Sequence, residues 1–183
     1  MIEIEKKFDP TEEQLKNLLL GADFLGEVTN HDIYYDYSDY RLFKNKIRLR
    51  NRNGSFELKI KKGSGAMQEI EDEEEIKKYF ETDLSLEEFI EKNLLLLSDY
   101  KTKRRKYKKE NFNIDIDECD FGYNMCEIEM MIEDNADIEE ARQILMNFAL
   151  KNGLLVKEMP PKGKEYLRLK KPEVYQEIFG AEK

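Results

Sequence analysis

The stretch Ile2-Glu3-Ile4-Glu5-Lys6-Lys7-Phe8 has the alternation that is typical of a β-strand. Apolar side chains stand at positions 2, 4 and 8, and charged ones stand at positions 3, 5 and 7. Because successive side chains on a strand point to opposite faces, Glu3, Glu5 and Lys7 are expected to share one face. The stretch therefore predicts a half-buried strand whose second face is charged.

The same period of two recurs along the chain. Lys46-Ile-Arg-Leu-Arg50 and Phe56-Glu-Leu-Lys-Ile-Lys61 alternate, and the polar residues 51–55 between them predict a hairpin. The apolar face of this hairpin is predicted to hold Ile47, Leu49, Phe56, Leu58 and Ile60. Further strands are predicted over 31–37, 67–71, 100–109, 112–117 and 126–130.

Helices separate some of these strands. They are predicted after an N-cap at Asp9, within the acidic stretch 71–83, from Ser85 to about Leu97, from Asp137 to Gly153 and over 172–179. Residues 160–163 are predicted to be a loop. About eight strands, mostly in hairpin order, with four or five helices predict an α+β protein with an antiparallel sheet.

The composition excludes several classes of protein. A length of 183 residues favours one domain, and a net charge of -9 argues against a general nucleic-acid binder. No apolar run approaches the roughly 20 residues of a membrane span, and the charged stretch after Met1 predicts no signal peptide. We therefore expect a cytoplasmic protein in which Cys119 and Cys126 are free thiols and the lone His31 is structural.

The charges on the predicted polar faces are sorted by strand. Acidic pairs two residues apart are Glu3/Glu5, Asp115/Asp117 and Glu127/Glu129, and basic pairs are Arg48/Arg50 and Lys59/Lys61. Alternation alone also fits a solvated face, but like charges on one face repel unless opposite charges lie between them. A closed barrel would place these rows around one cavity, where a polyanion and a divalent cation would satisfy both signs.

The residue types point to phosphate chemistry. Paired carboxylates suit Mg²⁺ or Mn²⁺, which prefer hard oxygen ligands, and arginine forks suit phosphate oxygens. In such sites charge neutralisation and positioning supply most of the catalysis. The sequence therefore predicts a metal-dependent phosphate site.

The motifs resemble one family in their order along the whole chain. Glu3-Ile4-Glu5-Lys6-Lys7 is similar to the N-terminal E-x-E-x-K signature of the CYTH superfamily, the triphosphate tunnel metalloenzymes. Three further segments resemble later strands of that superfamily: Arg48-Leu-Arg50, Glu57-Leu-Lys59 and Thr102-Lys-Arg104. The similarity to the thiamine triphosphatase branch of this superfamily lies in Asp115-Ile-Asp117, Asp120-Phe-Gly-Tyr123, Glu127-Ile-Glu129, Lys162, Tyr166-Leu167 and Lys171-Pro-x-x-Tyr-Gln.

This resemblance implies a fold and a set of site residues. The fold is an eight-stranded antiparallel closed β-barrel, a tunnel with helices packed outside, in a single domain over 1–183. Metal-binding acids would be Glu3, Glu5, Asp115, Glu127 and Glu129. Triphosphate-binding residues would be Lys7, Arg48, Arg50, Lys59, Arg104 and Lys162. Catalytic residues would be Glu3, Glu5, Lys7 and Glu129, with Glu57, Lys61, Glu69 and Asp117 in supporting roles.

The resemblance also implies the activity. We expect a Mg²⁺- or Mn²⁺-dependent hydrolase that releases phosphate from thiamine triphosphate or inorganic tripolyphosphate, as a monomer or homodimer without nucleic-acid or membrane partners. Thiamine specificity stays open, because Ile47 stands where that branch carries a tryptophan and the chain has no tryptophan. The alternatives are an adenylate cyclase of the same superfamily, which makes cyclic AMP and pyrophosphate from ATP, and a non-catalytic polyphosphate-binding module.

Overall fold

Eight strands and seven helices are formed by the residues that the computed structural model describes, which are 2–62, 66–133, 136–154 and 159–180. The strands are β1 (Ile2–Phe8), β2 (Asp23–Asp36), β3 (Ile47–Arg52), β4 (Ser55–Lys62), β5 (Ala66–Ile70), β6 (Leu95–Lys109), β7 (Phe112–Cys119) and β8 (Asn124–Ile132). The helices are α1 (Glu12–Leu19), α2 (Arg41–Lys44), α3 (Glu73–Tyr79), α4 (Leu86–Asn93), α5 (Ile138–Lys151), α6 (Lys162–Lys170) and α7 (Pro172–Phe179). Met1, on which the expectation about a signal peptide rests, lies outside the described residues.

The strands form one antiparallel sheet in the order β1-β8-β7-β6-β2-β3-β4-β5. This confirms the predicted α+β class and the predicted number of strands. Closure of the sheet into a tunnel stays a prediction, because β1 and β5 are the two ends of this hydrogen-bonded order.

Contacts between Cα atoms divide the chain into two compact units. The first unit consists of residues 1–29 and 102–161, and the second consists of residues 30–101 and 162–183. The single domain over 1–183 therefore also stays a prediction.

The core of the first unit lies between its strands and two helices. Helix α5 contacts β1 and β8, and its Leu145 belongs to the same buried cluster as Phe8, Ile114 and Ile128. Cys126 belongs to this cluster too, whereas Cys119 lies opposite Thr102 in the sheet register. Both cysteines are free thiols, as predicted.

The core of the second unit lies on the apolar face of the β3–β4 hairpin. Ile47 pairs with Ile60 and Leu49 pairs with Leu58, so the predicted apolar face is confirmed. Leu49 and Leu58 are fully buried in a cluster with Ile76 of α3 and Leu86 of α4. Burying such side chains is worth roughly 1.5–3 kcal/mol each, so this cluster fixes which face of β3 is left for charged side chains.

Four details of the helix predictions were wrong. Helix α1 is capped by Thr11 rather than Asp9, because Thr11 and Gln14 form a complete capping box. Helix α4 ends at Asn93, and the apolar run that follows enters β6 instead. Helix α6 begins at Lys162, inside the predicted loop 160–163, and α2 was not predicted.

The helices of the described chain are too short or too polar to cross a bilayer.

Candidate functional site

One face of the first unit gathers the predicted acidic residues. The antiparallel registers place Lys7 opposite Glu127, Glu127 opposite Asp115, and Asp115 opposite Lys106. The next row joins Glu5 to Glu129 and Glu129 to Asn113. We call this charged face the acidic face; it carries Glu3, Glu5, Lys7, Arg104, Lys106, Asn113, Asp115, Asp117, Glu127 and Glu129.

Arg104 lies at the centre of the acidic face and contacts three carboxylates. Its Nε and Nη2 donate to the two oxygens of Asp117, both at 2.7 Å. Its Nη1 lies 2.5 Å from Asp115 Oδ2, and its Nη2 lies 2.5 Å from Glu127 Oε2. Burial alone would lower the pKa of Arg104, but these three carboxylates more than offset that effect and raise it.

Lys7 is held in a similar way by two carboxylates. Its Nζ donates to Glu5 Oε1 and lies 3.3 Å from Glu127 Oε1. Burial would lower the pKa of Lys7, but the charges and hydrogen bonds of Glu127 and Glu5 raise it overall. Glu127 therefore links the two cations, with one oxygen on each.

Asp115 is the least satisfied acid of this group. It is 1 % exposed, and its Oδ1 is the one buried side-chain oxygen among the described residues that has no hydrogen bond. Burial raises its pKa to about 6, and the charge of Arg104 opposes this rise. A buried oxygen without a partner is costly unless a ligand satisfies it.

The remaining predicted ligands lie toward one end of the acidic face. Glu129 is half-buried and accepts a hydrogen bond of 3.0 Å from Asn113 Nδ2. Glu3 is exposed and lies opposite Met131. The structure thus brings Glu5, Asp115 and Glu127 together through Lys7 and Arg104, whereas Glu3 lies at the rim.

This donor set fits a hard divalent cation. All five predicted ligands offer carboxylate oxygens, which Mg²⁺ and Mn²⁺ prefer. The unpartnered Oδ1 of Asp115 offers an oxygen that no described residue satisfies. The acidic face therefore has the chemistry of a cation site, with Arg104 and Lys7 as its internal counter-charges.

One face of the second unit gathers the predicted arginines. Arg50 lies opposite Tyr34 on β2 and Glu57 on β4, and Arg48 lies opposite Lys59. We call this charged face the arginine face; it carries Asp32, Tyr34, Arg48, Arg50, Arg52, Glu57, Lys59 and Glu69.

Arg50 is paired on the arginine face and is 6 % exposed. Its Nε and Nη2 both donate to Glu57 Oε2, the Nε bond being 2.9 Å long, and its Nη1 donates to the hydroxyl of Tyr34 at 3.3 Å. Burial alone would lower the pKa of Arg50, but the partners Tyr34, Glu57 and Asp32 raise it. Asp32 also receives two hydrogen bonds from Arg52, at 2.6 and 3.0 Å.

Arg48 is held without an ion pair among the described residues. Its Nη1 donates to the main-chain oxygens of Phe43 at 3.1 Å and of Ile47 at 2.7 Å. Its guanidinium carbon lies 3.4 Å from the centre of the Phe43 ring. Burial lowers its pKa to about 10, so Arg48 is a desolvated cation that still carries its charge at neutral pH.

Helix α2 explains how Phe43 reaches Arg48. Asp36 is 1 % exposed and accepts hydrogen bonds from the backbone N–H groups of Leu42 at 3.0 Å and Phe43 at 2.8 Å. These bonds satisfy donors that the start of a helix leaves free. Asp36 thereby fixes α2, whose Phe43 supports the guanidinium of Arg48.

The other predicted residues of the second unit are less enclosed. Lys59 pairs with Glu69, and carboxylate oxygens of Glu57, Glu69 and Glu71 lie within 4.8 Å of one another. Lys162 is the half-buried first residue of α6.

The position of Ile47 bears on thiamine specificity. It packs against the apolar cluster rather than lying on the arginine face. Ile47 therefore does not take over the role expected of the tryptophan at this position in the thiamine triphosphatase branch, which is to stack on the thiamine rings.

Sequence reasoning missed several partners on both faces. Asp32, Asp36, Phe43, Arg52, Glu71 and Asn113 were not assigned to a site. For Asp32, Arg52 and Asn113 the missing signal was the register, which puts Asp32 beside Arg52 and Asn113 beside Glu129. The period of two that links Arg48, Arg50 and Arg52 was the one sequence signal that pointed to Arg52.

Comparison with known proteins gives a family for this arrangement. The sequence model of the CYTH domain matches residues 1–159. The chain belongs to the CYTH domain family. This confirms the resemblance that the E-x-E-x-K motif and the later strands indicate.

Individual CYTH relatives cover nearly the whole chain. Human thiamine-triphosphatase is 26 % identical, and the match covers 98 % of this chain and 90 % of the human protein. The thiamine-triphosphatase of Macaca fascicularis is also 26 % identical, with the same coverage. A solved structure from Pyrococcus horikoshii OT3 has a TM-score of 0.66 at 23 % identity and covers 91 % of this chain and 98 % of that one. These matches support the CYTH fold and a general kinship with triphosphatases.

Proposed function

We propose that this chain is a metal-dependent triphosphate hydrolase that releases phosphate from thiamine triphosphate or inorganic tripolyphosphate. The observation that carries the proposal is the acidic face, where buried carboxylates surround Arg104 and Asp115 Oδ1 has no partner. The kinship with thiamine-triphosphatases supports it from sequence.

The cation would be held by the carboxylates of the acidic face. We assign its ligands as Glu3, Glu5, Asp115, Glu127 and Glu129. When bound, Mg²⁺ or Mn²⁺ supplies charge neutralisation to the phosphate oxygens and makes a bound water more acidic.

The positive side chains bind and orient the triphosphate. On the acidic face we assign this role to Lys7 and Arg104, and on the second unit we assign it to Arg48, Arg50, Lys59 and Lys162. Arg48 is suited to an incoming anion, because no described carboxylate has to be displaced from it. Lys7 and the arginines stabilise the negative charge that develops on the bridging oxygen when the terminal phosphoryl group is transferred.

Glu129 is the carboxylate that we assign to the attacking water. Its Oε1 accepts the hydrogen bond from Asn113, which leaves Oε2 to bind the cation and to orient the water that the cation polarises. Glu3 and Glu5 complete the catalytic set together with Lys7.

The decisive experiment measures phosphate release from thiamine triphosphate, tripolyphosphate and ATP in parallel, with Mg²⁺, with Mn²⁺ and with EDTA. We expect cation-dependent hydrolysis of at least one of the first two substrates. Formation of cyclic AMP from ATP would replace the hydrolase with a cyclase. Binding of tripolyphosphate without any turnover would replace it with a polyphosphate-binding module.

The setting of the enzyme follows from the same proposal. We place it in the cytoplasm as one domain, a monomer or homodimer, without nucleic-acid or membrane partners. Light scattering of the purified chain measures the oligomeric state. Salt-dependent binding of a DNA or RNA oligonucleotide that tripolyphosphate does not displace would contradict the absence of a nucleic-acid partner.

A further inference from the structure

The contacts of Arg104 fall into two kinds. Those to Asp117 are a two-bond pairing with an acid that is fully buried and lies directly opposite in the register. Those to Asp115 and Glu127 each use one oxygen. A two-bond pairing fixes the position of a guanidinium better than single contacts do.

The single contacts use the oxygens that a cation requires. Arg104 occupies Oδ2 of Asp115 and Oε2 of Glu127, and both acids belong to the ligand set of the proposed function. A guanidinium and a divalent cation on these same oxygens would repel each other at short range. Arg104 and the cation therefore compete for two of the carboxylates.

We infer that Arg104 is an internal counter-ion that blocks the cation site until it is displaced, while Asp117 retains it beside the site. When a cation binds Asp115 and Glu127, Nη1 of Arg104 loses its partner and Nη2 keeps only its contact with Asp117. The N–H groups released in this way are then available to donate to phosphate oxygens. This role rests on the proposed function and adds to it the order in which the cation and the triphosphate bind. Cation binding releases the arginine that recognises the triphosphate, so the two ligands strengthen each other's binding reciprocally.

The test measures Mn²⁺ binding by calorimetry in the absence of any triphosphate. The variant Arg104→Gln removes the competitor, so we expect its Mn²⁺ affinity to rise by at least about tenfold. This is the effect expected when the cation no longer has to break one charged hydrogen bond in order to bind. The matched control is Arg105→Gln. Arg105 is the next residue on β6 and pairs with the exposed Glu118, so its Mn²⁺ affinity should match that of the unmodified chain.

A second variant covers the case in which Arg104→Gln fails to fold. Arg104→Lys keeps one charge but cannot reach three carboxylates at once, so it should bind Mn²⁺ more tightly than the unmodified chain. Unchanged or weaker Mn²⁺ affinity in every variant that folds would overturn the inference.

This outcome is distinguishable from failure of the proposed function. Tighter Mn²⁺ binding by Arg104→Gln in a chain that hydrolyses nothing would support the counter-ion role alone. If the chain is an active hydrolase but its Mn²⁺ affinity is the same with and without Arg104, the counter-ion role alone would be overturned.

Discussion

The acidic face and the arginine face use the same alternation of charged side chains but reverse the ratio of charges. On the acidic face one arginine, Arg104, contacts three carboxylates. On the arginine face the three arginines of β3 have two carboxylates within 4 Å among the described residues, Asp32 and Glu57. The first arrangement has an excess of negative charge and suits a cation, whereas the second has an excess of positive charge and suits an anion.

The difference arises from the register rather than from the motif. Asp117 lies opposite Arg104 on the neighbouring β7, and Asp115 lies two residues away on the same face of β7. Strand β8 lies on the other side of β7 and brings Glu127 within reach. Arg48, in contrast, lies opposite Lys59, so main-chain oxygens and the Phe43 ring hold it instead of an acid. A charged alternating strand thus acquires its chemistry from the strands beside it.

The largest effect is expected from breaking a buried pair on the arginine face. Arg50→Gln leaves the carboxylate of Glu57, whose side chain is 12 % exposed, without its main counter-charge. Removal of one partner of a buried pair costs about 3–5 kcal/mol in the free energy of unfolding. Urea unfolding measures this loss. The exposed pair of Arg142 with Glu139 is the control, since Arg142→Gln should cost roughly 0.5 kcal/mol or less.

Removal of a proposed cation ligand from the acidic face should abolish turnover without unfolding the chain. Glu5 is exposed on β1, so the variant Glu5→Gln should be as stable as the unmodified chain. We expect cation-dependent phosphate release to fall by more than about a hundredfold, because even residues behind a metal ligand change activity by 10–100-fold. Glu3→Gln should behave in the same way.

The control for this substitution is Glu118→Gln, which alters an exposed acid of β7 outside the acidic face. Activity retained by Glu5→Gln would refute the assignment of the acidic face as the cation site.

The next effect tests whether Arg48 serves anions rather than the fold. Because no described carboxylate pairs with it, Arg48→Gln should lose about 1.5–3 kcal/mol of tripolyphosphate binding with little loss of stability. Calorimetric titration with tripolyphosphate, next to an unfolding curve, measures both quantities. The exposed neighbour Lys46 provides a control through Lys46→Gln. A large loss of stability with unchanged affinity would make Arg48 a structural residue.

The smallest effect concerns pH and Asp115. Burial raises the pKa of its carboxyl from an ordinary value of 3.8 to about 6, so the folded chain binds this proton more tightly than the unfolded chain. The stabilising contribution of the protonated carboxyl is therefore lost as the pH rises through about 6. Asp115→Asn cannot ionise, so at pH 8 with EDTA it should gain on the order of 1 kcal/mol of stability.

Unfolding curves at several pH values check the sign of this effect. The gain should shrink as the pH falls below about 6, because the carboxyl of the folded unmodified chain then becomes protonated. A variant that is less stable at pH 8 would contradict the raised pKa.

The strands were more predictable than the helices. The apolar face of β3 and β4 followed from alternation. Burial of Leu49 and Leu58 on one face of the hairpin places the charged residues between them on the other face. Helix α2 was missed because its four residues are stabilised by Asp36, which lies outside the helix in sequence. The end of α4 was misplaced because the run of leucines after Asn93 is apolar enough for either a helix or a strand.

The carboxylates that share the acidic face were predictable, but their contacts and several of their neighbours were not. Period two and the family resemblance placed Asp115 and Glu127 in the ligand set. That both share Arg104, while Asp115 Oδ1 has no partner, depends on side-chain positions that alternation does not encode. The support of Arg48 by Phe43 likewise depends on a helix that the sequence pattern did not reveal.

The pairing of β1 with β8 determines when the proposed cation ligands of these two strands can meet during synthesis. Glu5 leaves the ribosome well before its neighbour Glu129, which belongs to β8. The hairpin of β3 and β4 needs only nearby residues, and such local contacts form faster than distant ones. The nascent chain can therefore form the hairpin that carries Arg48 and Arg50 early, whereas the acids of β1 lack their β8 neighbours until that strand has been synthesised.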